Sequence, residues 1–176
     1  MAKGNLPTAS EICQRLDYNP ETGIFIRKHL GKEFFATTWA WSCAKRYMGK
    51  AAGSPSNYGY IQIAILGGKH QAHRLAWLVS TGDWPVEFID HINGVRSDNS
   101  IRNLRAATSS QNNQNTLGSK YTGTSWHKVD HKWRASIQID GKSKHLGNYS
   151  CRDEAAEAYR KAKLKLHAFS PEVRES

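Results

Sequence analysis

The sequence predicts an α+β protein with two small domains, residues 1–117 and 118–176. Stretches with apolar residues at every second position are typical of half-buried strands, and stretches with apolar residues three or four positions apart are typical of helices; both occur in each domain. A chain of 176 residues can hold two such domains, each with a small core. A short polar segment, 116–120, separates them.

The first 72 residues predict a small sheet with one helix. Ser10 can cap a short helix that extends to Leu16, and the Asn-Pro-Glu-Thr-Gly sequence at 19–23 is typical of a turn. Strands are expected at 24–27 and at 59–66, where isoleucines 61, 63 and 65 share one face. The basic residues Lys45, Arg46 and Lys50 are interpreted as a solvated loop, with a DNA-backbone contact as the alternative.

A helical pattern then opens at His73 and Arg74. Two interpretations of His73 remain open: a buried or capping histidine, and a phosphate contact beside an active site. Arg74 and Arg105 can clamp phosphate, although a solvated arginine is the simpler interpretation.

The segment 86–115 carries the chemistry. An apolar run from Val86 ends in Asp90-His91, and a polar loop follows in which Asp98 and Asn99 are interpreted as turn formers. Thr108 can then cap a helix with the residue three positions later, Gln111, as its capping-box partner. This order predicts a strand, a loop and a helix.

Such an arrangement can bring together Asp90 and Asn112, the latter near the first turn of the helix. Their oxygens suit a hard divalent cation and leave positions for water and phosphate oxygens, so we expect Mg²⁺, or Mn²⁺ in its place. His91 has an ordinary pKa of about 6.5, which leaves a neutral fraction able to deprotonate water near neutral pH. These residue types predict a metal-dependent nuclease.

The sequence DHINGVRSDNSIRNLRAATSSQNNQN, from Asp90 onward, resembles the HNH or ββα-metal nucleases, in particular the homing endonucleases of phages and introns. The resemblance implies that His91 is the general base, that Asp90 and Asn112 bind the metal, and that Asn103, the middle Asn of the motif, tethers the loop. The third motif letter is Asn rather than His, which leaves Asn113 and Asn115 as alternatives for the second ligand.

The region from Tyr121 predicts three strands and a helix. Apolar residues alternate with polar ones from Trp133 to Ile139, Asp140-Gly141 forms a turn, and 142–149 forms the next strand. A first strand is expected at 121–129. Ser150 can cap the helix with Asp153, and the apolar stripe on that helix comprises Ala155, Tyr159, Ala162 and Leu166.

This region resembles the DNA-binding domain of the plant APETALA/ethylene-response factors through Y-G at Tyr121, the W-A-I strand, LG-Y at Leu146 and the EAA-AY-KA-LKLH helix. The resemblance implies a three-stranded antiparallel sheet packed on one helix, with the exposed face in a DNA groove. The contacts it implies fall on Ser125, His127, Arg134, Ser136, Gln138 and His145. We also expect phosphate contacts from Lys142 and Lys144.

Composition agrees with a nucleic-acid partner. The net charge is +10, from 13 basic and 8 acidic residues in 1–117 and from 12 and 7 in 118–176. A basic balance along both domains suits a polyanion, although it also favours solubility. Cys13, Cys43 and Cys151 lack the spacing of a disulfide framework or zinc site, which favours a reducing compartment. No apolar run is long enough for a membrane span, and the N-terminus lacks a secretory apolar region.

Together these patterns predict an endonuclease that cuts one strand of double-stranded DNA per active site. The HNH resemblance implies products with 5′ phosphate and 3′ hydroxyl ends and a protein encoded by a phage. We expect a monomer without a membrane or small-molecule partner that acts in the cytoplasm of a bacterial host. Two alternatives stay open: a sequence-specific DNA-binding regulator with an inactive nuclease portion, and a nuclease that cuts RNA or structured nucleic acid.

Overall fold

The computed structural model describes residues 6–115, 119–167 and 169. These residues form a mixed α and β structure in which small sheets are joined by short helices, consistent with the predicted α+β class. The helices are α1 (Ala9–Cys13), α2 (Thr38–Lys45), α3 (Ala72–Thr81), α4 (Ser109–Gln114) and α5 (Arg152–Leu166). The strands are β1 (Leu16–Tyr18), β2 (Phe25–Arg27), β3 (Ser54–Pro55), β4 (Ile61–Ile65), β5 (Gly68–Gln71), β6 (Phe88–His91), β7 (Leu104–Ala107), β8 (Thr124–His127), β9 (Lys132–Ile139) and β10 (Lys142–Tyr149). Short 3₁₀ turns occupy Lys32–Phe34 and Ile101–Asn103.

The chain divides into two compact units. One comprises residues up to His91 together with Val95–Ala106, and the other comprises Ile92–Gly94 and the residues from Ala107 onward. The functional division at 117/118 into a nuclease domain and a DNA-binding domain stays a prediction.

The first unit contains three small sheets around one apolar core. β1 pairs with β2, β4 pairs on either side with β3 and β5, and β6 pairs with β7. Period-two alternation in β4 buries Ile63 and Ile65 as predicted, and α3 buries Leu75 and Leu78 against the same core. Ile89 of β6 belongs to this core, so the strand that ends at the Asp-His pair is anchored by apolar packing.

The predicted strand, loop and helix follow one another in chain order as β6, the loop 92–103, β7 and α4. α4 begins as the sequence predicts: Thr108 accepts from the Gln111 backbone at 3.2 Å, and the Gln111 side chain accepts from the Thr108 backbone at 2.8 Å. This capping box fixes the start of the helix, whereas the packing of α4 as part of a ββα-metal site stays a prediction.

The second unit contains the antiparallel sheet β10-β9-β8, and α5 packs on all three strands. Ala135 and Ile137 of β9 are buried against Ala155 and Ala156 of α5. A Cβ on Gly123 would lie 2.0 Å from the Tyr159 ring, so the approach of the chain to α5 requires glycine there. The predicted arrangement of three strands on one helix is therefore observed.

Several local predictions are wrong. α1 begins one residue before Ser10, because Thr8 forms a capping box with Glu11, and Leu16 belongs to β1 rather than to the helix. Cys151, not Ser150, is the N-cap of α5; the Ser150 hydroxyl donates to Glu154 at 3.2 Å, and Asp153 is engaged by Lys120 at 2.8 Å.

The predicted apolar stripe of α5 also departs from the structure at its end. Leu166 is 38% exposed, while Lys163 is buried. Among the described helices, none combines the length and apolar character needed to cross a bilayer.

Candidate active site

Asp90 lies on β6 with its carboxylate buried beside an arginine of the paired strand. The Asp90 side chain is 5% exposed, and the Arg105 guanidinium contacts its Oδ2 through Nε at 2.8 Å and Nη2 at 2.7 Å. Because both contacts fall on one oxygen, a cation bound by Asp90 shares the carboxylate with Arg105. Arg105 is thus not the solvated side chain considered from the sequence, and its phosphate contact stays a prediction.

His91, the last residue of β6, is 4% exposed. Its Nε2 lies 3.2 Å from Oδ1 of Asn99, a buried residue of the following loop. Burial lowers the pKa of His91, and the Asn99 hydrogen bond and the Asp90 charge counteract part of this shift. The imidazole is therefore neutral at physiological pH, the state that a general base requires.

The rings of two other residues, His73 and Tyr60, lie beside His91. His73 of α3 approaches it edge-on, with ring centroids 5.1 Å apart, and Tyr60 lies 5.9 Å from it. His73 is 8% exposed, and burial lowers its pKa to about 3, so it too is neutral. This burial favours the structural interpretation of His73, whose phosphate contact stays a prediction.

Arg74, next to His73, supports the segment that precedes β6. Its guanidinium donates to the carbonyls of Pro85 and Glu87 at 3.3 Å each and lies over the Trp84 ring. These contacts indicate a structural role, and its DNA contact also stays a prediction.

The loop between β6 and β7 is held by its own polar side chains. Asn103 donates from Nδ2 to the Asp98 carbonyl at 2.8 Å, a bond consistent with the tethering role implied for the middle Asn. Asp98 in turn accepts from the Ser100 hydroxyl at 2.7 Å and from its backbone at 3.2 Å. The loop therefore presents a defined conformation to His91.

Asn112 lies on α4 in the second unit, as does Asn113, and Asn115 is the C-cap of this helix. The structure therefore brings together Asp90, His91, Asn99, Arg105 and His73 within the first unit. The choice of the second metal ligand stays a prediction.

The sheet of the second unit has one polar face, which we define by strand alternation and register. Ser125 pairs with Arg134, Arg134 with Asn148, and Ser136 with His145. The members of this polar face are Ser125, His127, Lys132, Arg134, Ser136, Gln138, Ser143, His145 and Asn148. None of these described strand residues is acidic, and the one carboxylate recorded against them is that of Asp130 in the β8–β9 turn, which contacts His127 at 3.0 Å and Asn148 at 3.5 Å.

All six sheet residues for which the plant-factor resemblance implies DNA contacts belong to the polar face. Lys142 and Lys144 do not: they pair with Ile139 and Ile137, so they lie on the side covered by α5. Lys132 and Asn148 share the polar face although the sequence analysis did not propose them.

The sequence analysis missed the roles of Arg105 and Asn99. Asn99 was interpreted as a turn former, but its side chain is buried against His91, eight residues earlier. An available signal was the presence of an arginine and an asparagine within a segment already assigned to catalysis. Their partners depend on the path of the loop, which local patterns do not define.

Residues 70–114 match the family model described as HNH endonuclease. This match supports an HNH nuclease. It covers α3, β6, the loop and β7, which carry the cluster around His91, and it also covers α4 of the second unit. None of the curated proteins and none of the solved structures compared with the chain matches it.

The HNH match indicates nuclease activity on DNA, and such nucleases typically use a divalent metal ion. Among the described residues, no group of three or more His, Cys, Asp or Glu side chains could hold a metal. The predicted donors are instead one carboxylate, on Asp90, and one amide, on Asn112. Hard oxygen donors of this kind fit Mg²⁺, which retains several waters and binds through few protein ligands.

Proposed function

We propose that the chain is a metal-dependent DNA endonuclease that hydrolyses one strand per active site. His91 is the general base, Asp90 and Asn112 hold Mg²⁺ or Mn²⁺, and the polar face of the second unit selects the DNA. The proposal extends to a monomer of the homing type, encoded by a phage and acting in a bacterial cytoplasm.

One observation carries the proposal: a buried, neutral histidine directly follows a buried aspartate within a segment that matches HNH endonucleases. In the proposed reaction His91 takes a proton from water, and the water oxygen attacks phosphorus. The bond from phosphorus to the 3′ oxygen breaks, and that oxygen takes a proton from solvent. A divalent cation at Asp90 and Asn112 would neutralise charge on the phosphate and on the departing oxygen.

The polar face supports the second part of the proposal. A three-stranded sheet can place side chains in a major groove, where Arg and Gln discriminate between bases through hydrogen bonds. Arg134 and Gln138 stand on the same face of β9, with basic Lys132 beside them and no acid among the described strand residues of this face. Such a surface attracts phosphate and can read base edges.

The decisive experiment is cleavage of supercoiled plasmid with Mg²⁺ and with EDTA. Because each chain has one proposed site, we expect relaxed circles before linear DNA, and no product with EDTA. His91→Ala should lower the rate by about 10² to 10⁴ fold, the usual contribution of a positioned general base. His29→Ala, at an exposed histidine, is the matched control and should cleave normally.

Binding of the plasmid without cleavage under all metal conditions would instead favour a DNA-binding regulator. If the protein cleaves RNA and leaves the plasmid intact, the result would favour the RNA-cleaving alternative.

The second ligand is tested by three asparagine variants of α4 and its cap. Asn112→Ala should abolish cleavage at ordinary Mg²⁺ concentrations, because few protein ligands hold the ion. Asn113→Ala and Asn115→Ala should retain it. If the loss instead follows Asn115→Ala, the assignment of Asn112 is wrong.

A further inference from the structure

The loop after β6 buries an amide against His91, and the amide has one defined orientation. Asn99 is 2% exposed. Its Nδ2 lies 3.2 Å from the Ser97 carbonyl, which only accepts hydrogen bonds, so Nδ2 must face Ser97 and Oδ1 must face His91. The 3.2 Å contact between Oδ1 and Nε2 of His91 then requires a hydrogen on Nε2.

We propose that Asn99 is a positioning residue that holds His91 in the Nε2–H tautomer, which makes Nδ1 the nitrogen that takes the proton from water. A neutral imidazole has one donor and one acceptor nitrogen, so fixing the donor fixes the acceptor. The inference rests on the proposed function for the role of His91, whereas the tautomer itself is a property of the folded protein.

The N-terminal strands hold Asn99 in place. Tyr18 of β1 donates its hydroxyl hydrogen to the Asn99 carbonyl at 2.8 Å, across 81 positions of sequence. A Cβ on Gly23 would lie 2.3 Å from the Asn99 carbonyl carbon, so the turn between β1 and β2 packs directly on the loop backbone. The backbone N–H of Ile101 donates to the Pro20 carbonyl at 3.0 Å.

These contacts assign a catalytic consequence to a part of the chain outside the matched residues 70–114. These contacts hold the backbone of Asn99, and the contact of Nδ2 with the Ser97 carbonyl then orients its side-chain amide toward His91. The rings of His73 and Tyr60 lie beside His91, with centroids 5.1 and 5.9 Å away. The N-terminal strands therefore bear on catalysis through the position of Asn99.

The test is a measurement of the ring tautomer in the full-length protein. Histidine-selective ¹⁵N labelling and long-range ¹H–¹⁵N correlation distinguish the two tautomers, since the nitrogen without hydrogen resonates far downfield. The His91→Gln spectrum identifies the His91 signals. At about pH 8, above the ordinary histidine pKa, we expect wild-type His91 as the single Nε2–H form.

Three variants complete the test. Asn99→Ala should give a mixture of tautomers and lower kcat by about 10- to 100-fold with little change in KM, the usual effect of losing a hydrogen-bond partner that orients a functional histidine. Asn99→Gln keeps both the acceptor and the donor of the amide and should retain more of the single Nε2–H form than Asn99→Ala does. Asn57→Ala, an exposed asparagine of the same unit, should change neither property.

Wild-type His91 found as Nδ1–H, or as a mixture, overturns the inference without any variant. A single Nε2–H form that persists in Asn99→Ala also overturns it. Failure of the proposed function has a different signature: His91→Ala would cleave at the wild-type rate while the tautomer and its dependence on Asn99 remain as described.

Discussion

The buried Asp90–Arg105 ion pair should contribute measurably to the free energy of unfolding of the first unit. Removing one partner of a buried ion pair costs about 3–5 kcal/mol, because the other charge stays buried without compensation. The Arg105 side chain is 22% exposed while that of Asp90 is 5% exposed, so water reaches one end of this pair. We therefore expect Arg105→Met to lower the free energy of unfolding by about 2–4 kcal/mol.

A double-mutant cycle separates this ionic contribution from lost packing. Asp90→Asn removes the charge that Arg105 compensates, so Arg105→Met should cost less in that background, with a coupling of about 1–3 kcal/mol. Urea unfolding followed by the fluorescence of the 6 tryptophans measures all four proteins. Arg102→Met, at an exposed arginine three positions away, is the matched control and should stay within about 0.5 kcal/mol of wild type.

The unfolding of the same four proteins can also be compared with and without Mg²⁺. If Asp90 is a ligand, Mg²⁺ at ten times its Kd should stabilise the protein by about 1.4 kcal/mol, and it should stabilise Arg105→Met at least as much. Asp90→Asn should lose this stabilisation. Additive effects of the two substitutions would refute the ion-pair argument, and stabilisation of Asp90→Asn equal to that of wild type would refute Asp90 as a ligand.

Three further predictions follow from burial, backbone and register. The pKa of His73 is about 3 in the folded protein and about 6.5 in the unfolded chain, so between these pH values protons bind the unfolded chain more strongly. Relative to His73→Phe, the free energy of unfolding of wild type should therefore fall by up to about 1.4 kcal/mol per pH unit from pH 6.5 toward pH 3. Urea titrations at several pH values measure this, and equal pH slopes for the two proteins would contradict it. Gly23→Ala should lower the free energy of unfolding by more than about 2 kcal/mol in thermal unfolding and also slow cleavage, because its φ of +72° and its contact with the loop backbone both exclude a side chain. Gly67 has a φ of +75° but faces open space, so Gly67→Ala should cost only about 1 kcal/mol and leave cleavage intact. A similar loss of stability in both variants would show that the contact is not the cause. Arg134→Ala should weaken DNA binding by about 1–3 kcal/mol in a fluorescence anisotropy titration. Lys165→Ala, at an exposed lysine of α5 on the other side of the sheet, should change it by less than about 0.5 kcal/mol, and the reverse order would move the DNA interface to that side.

Local signals in the sequence predicted most elements of the fold. The Thr108–Gln111 capping box, the isoleucine alternation of β4 and the Asp140-Gly141 turn between β9 and β10 all depend on residues within a few positions of one another. These three features form through local backbone geometry, which is the same whatever the rest of the fold is. The bounds of β10, 142–149, were predicted to the residue.

The wrong predictions on α5 depend on contacts that the local pattern does not contain. Ser150 and Asp153 have capping-box spacing, but Lys120, more than thirty positions earlier, takes the Asp153 carboxylate. The aliphatic part of a lysine can pack against apolar surface, which allows Lys163 to be buried where a simple apolar stripe would favour Leu166.

The same distinction applies to the site. Asp90 and His91 were proposed because adjacent residues of a recognisable motif suffice to suggest their chemistry. Asn99 and Arg105 were missed as contributors because their roles arise only when the loop brings them back to β6.

The register of β10 places Lys142 and Lys144 along one edge of the three-stranded sheet. β10 is an edge strand, whose outer N–H and C=O groups could otherwise pair with a strand of another molecule. Two lysines and the β-bulge between His145 and Gly147 lie along this edge. Charge and irregular backbone spacing both oppose strand addition, so we expect these residues to limit edge-to-edge association of the open three-stranded sheet.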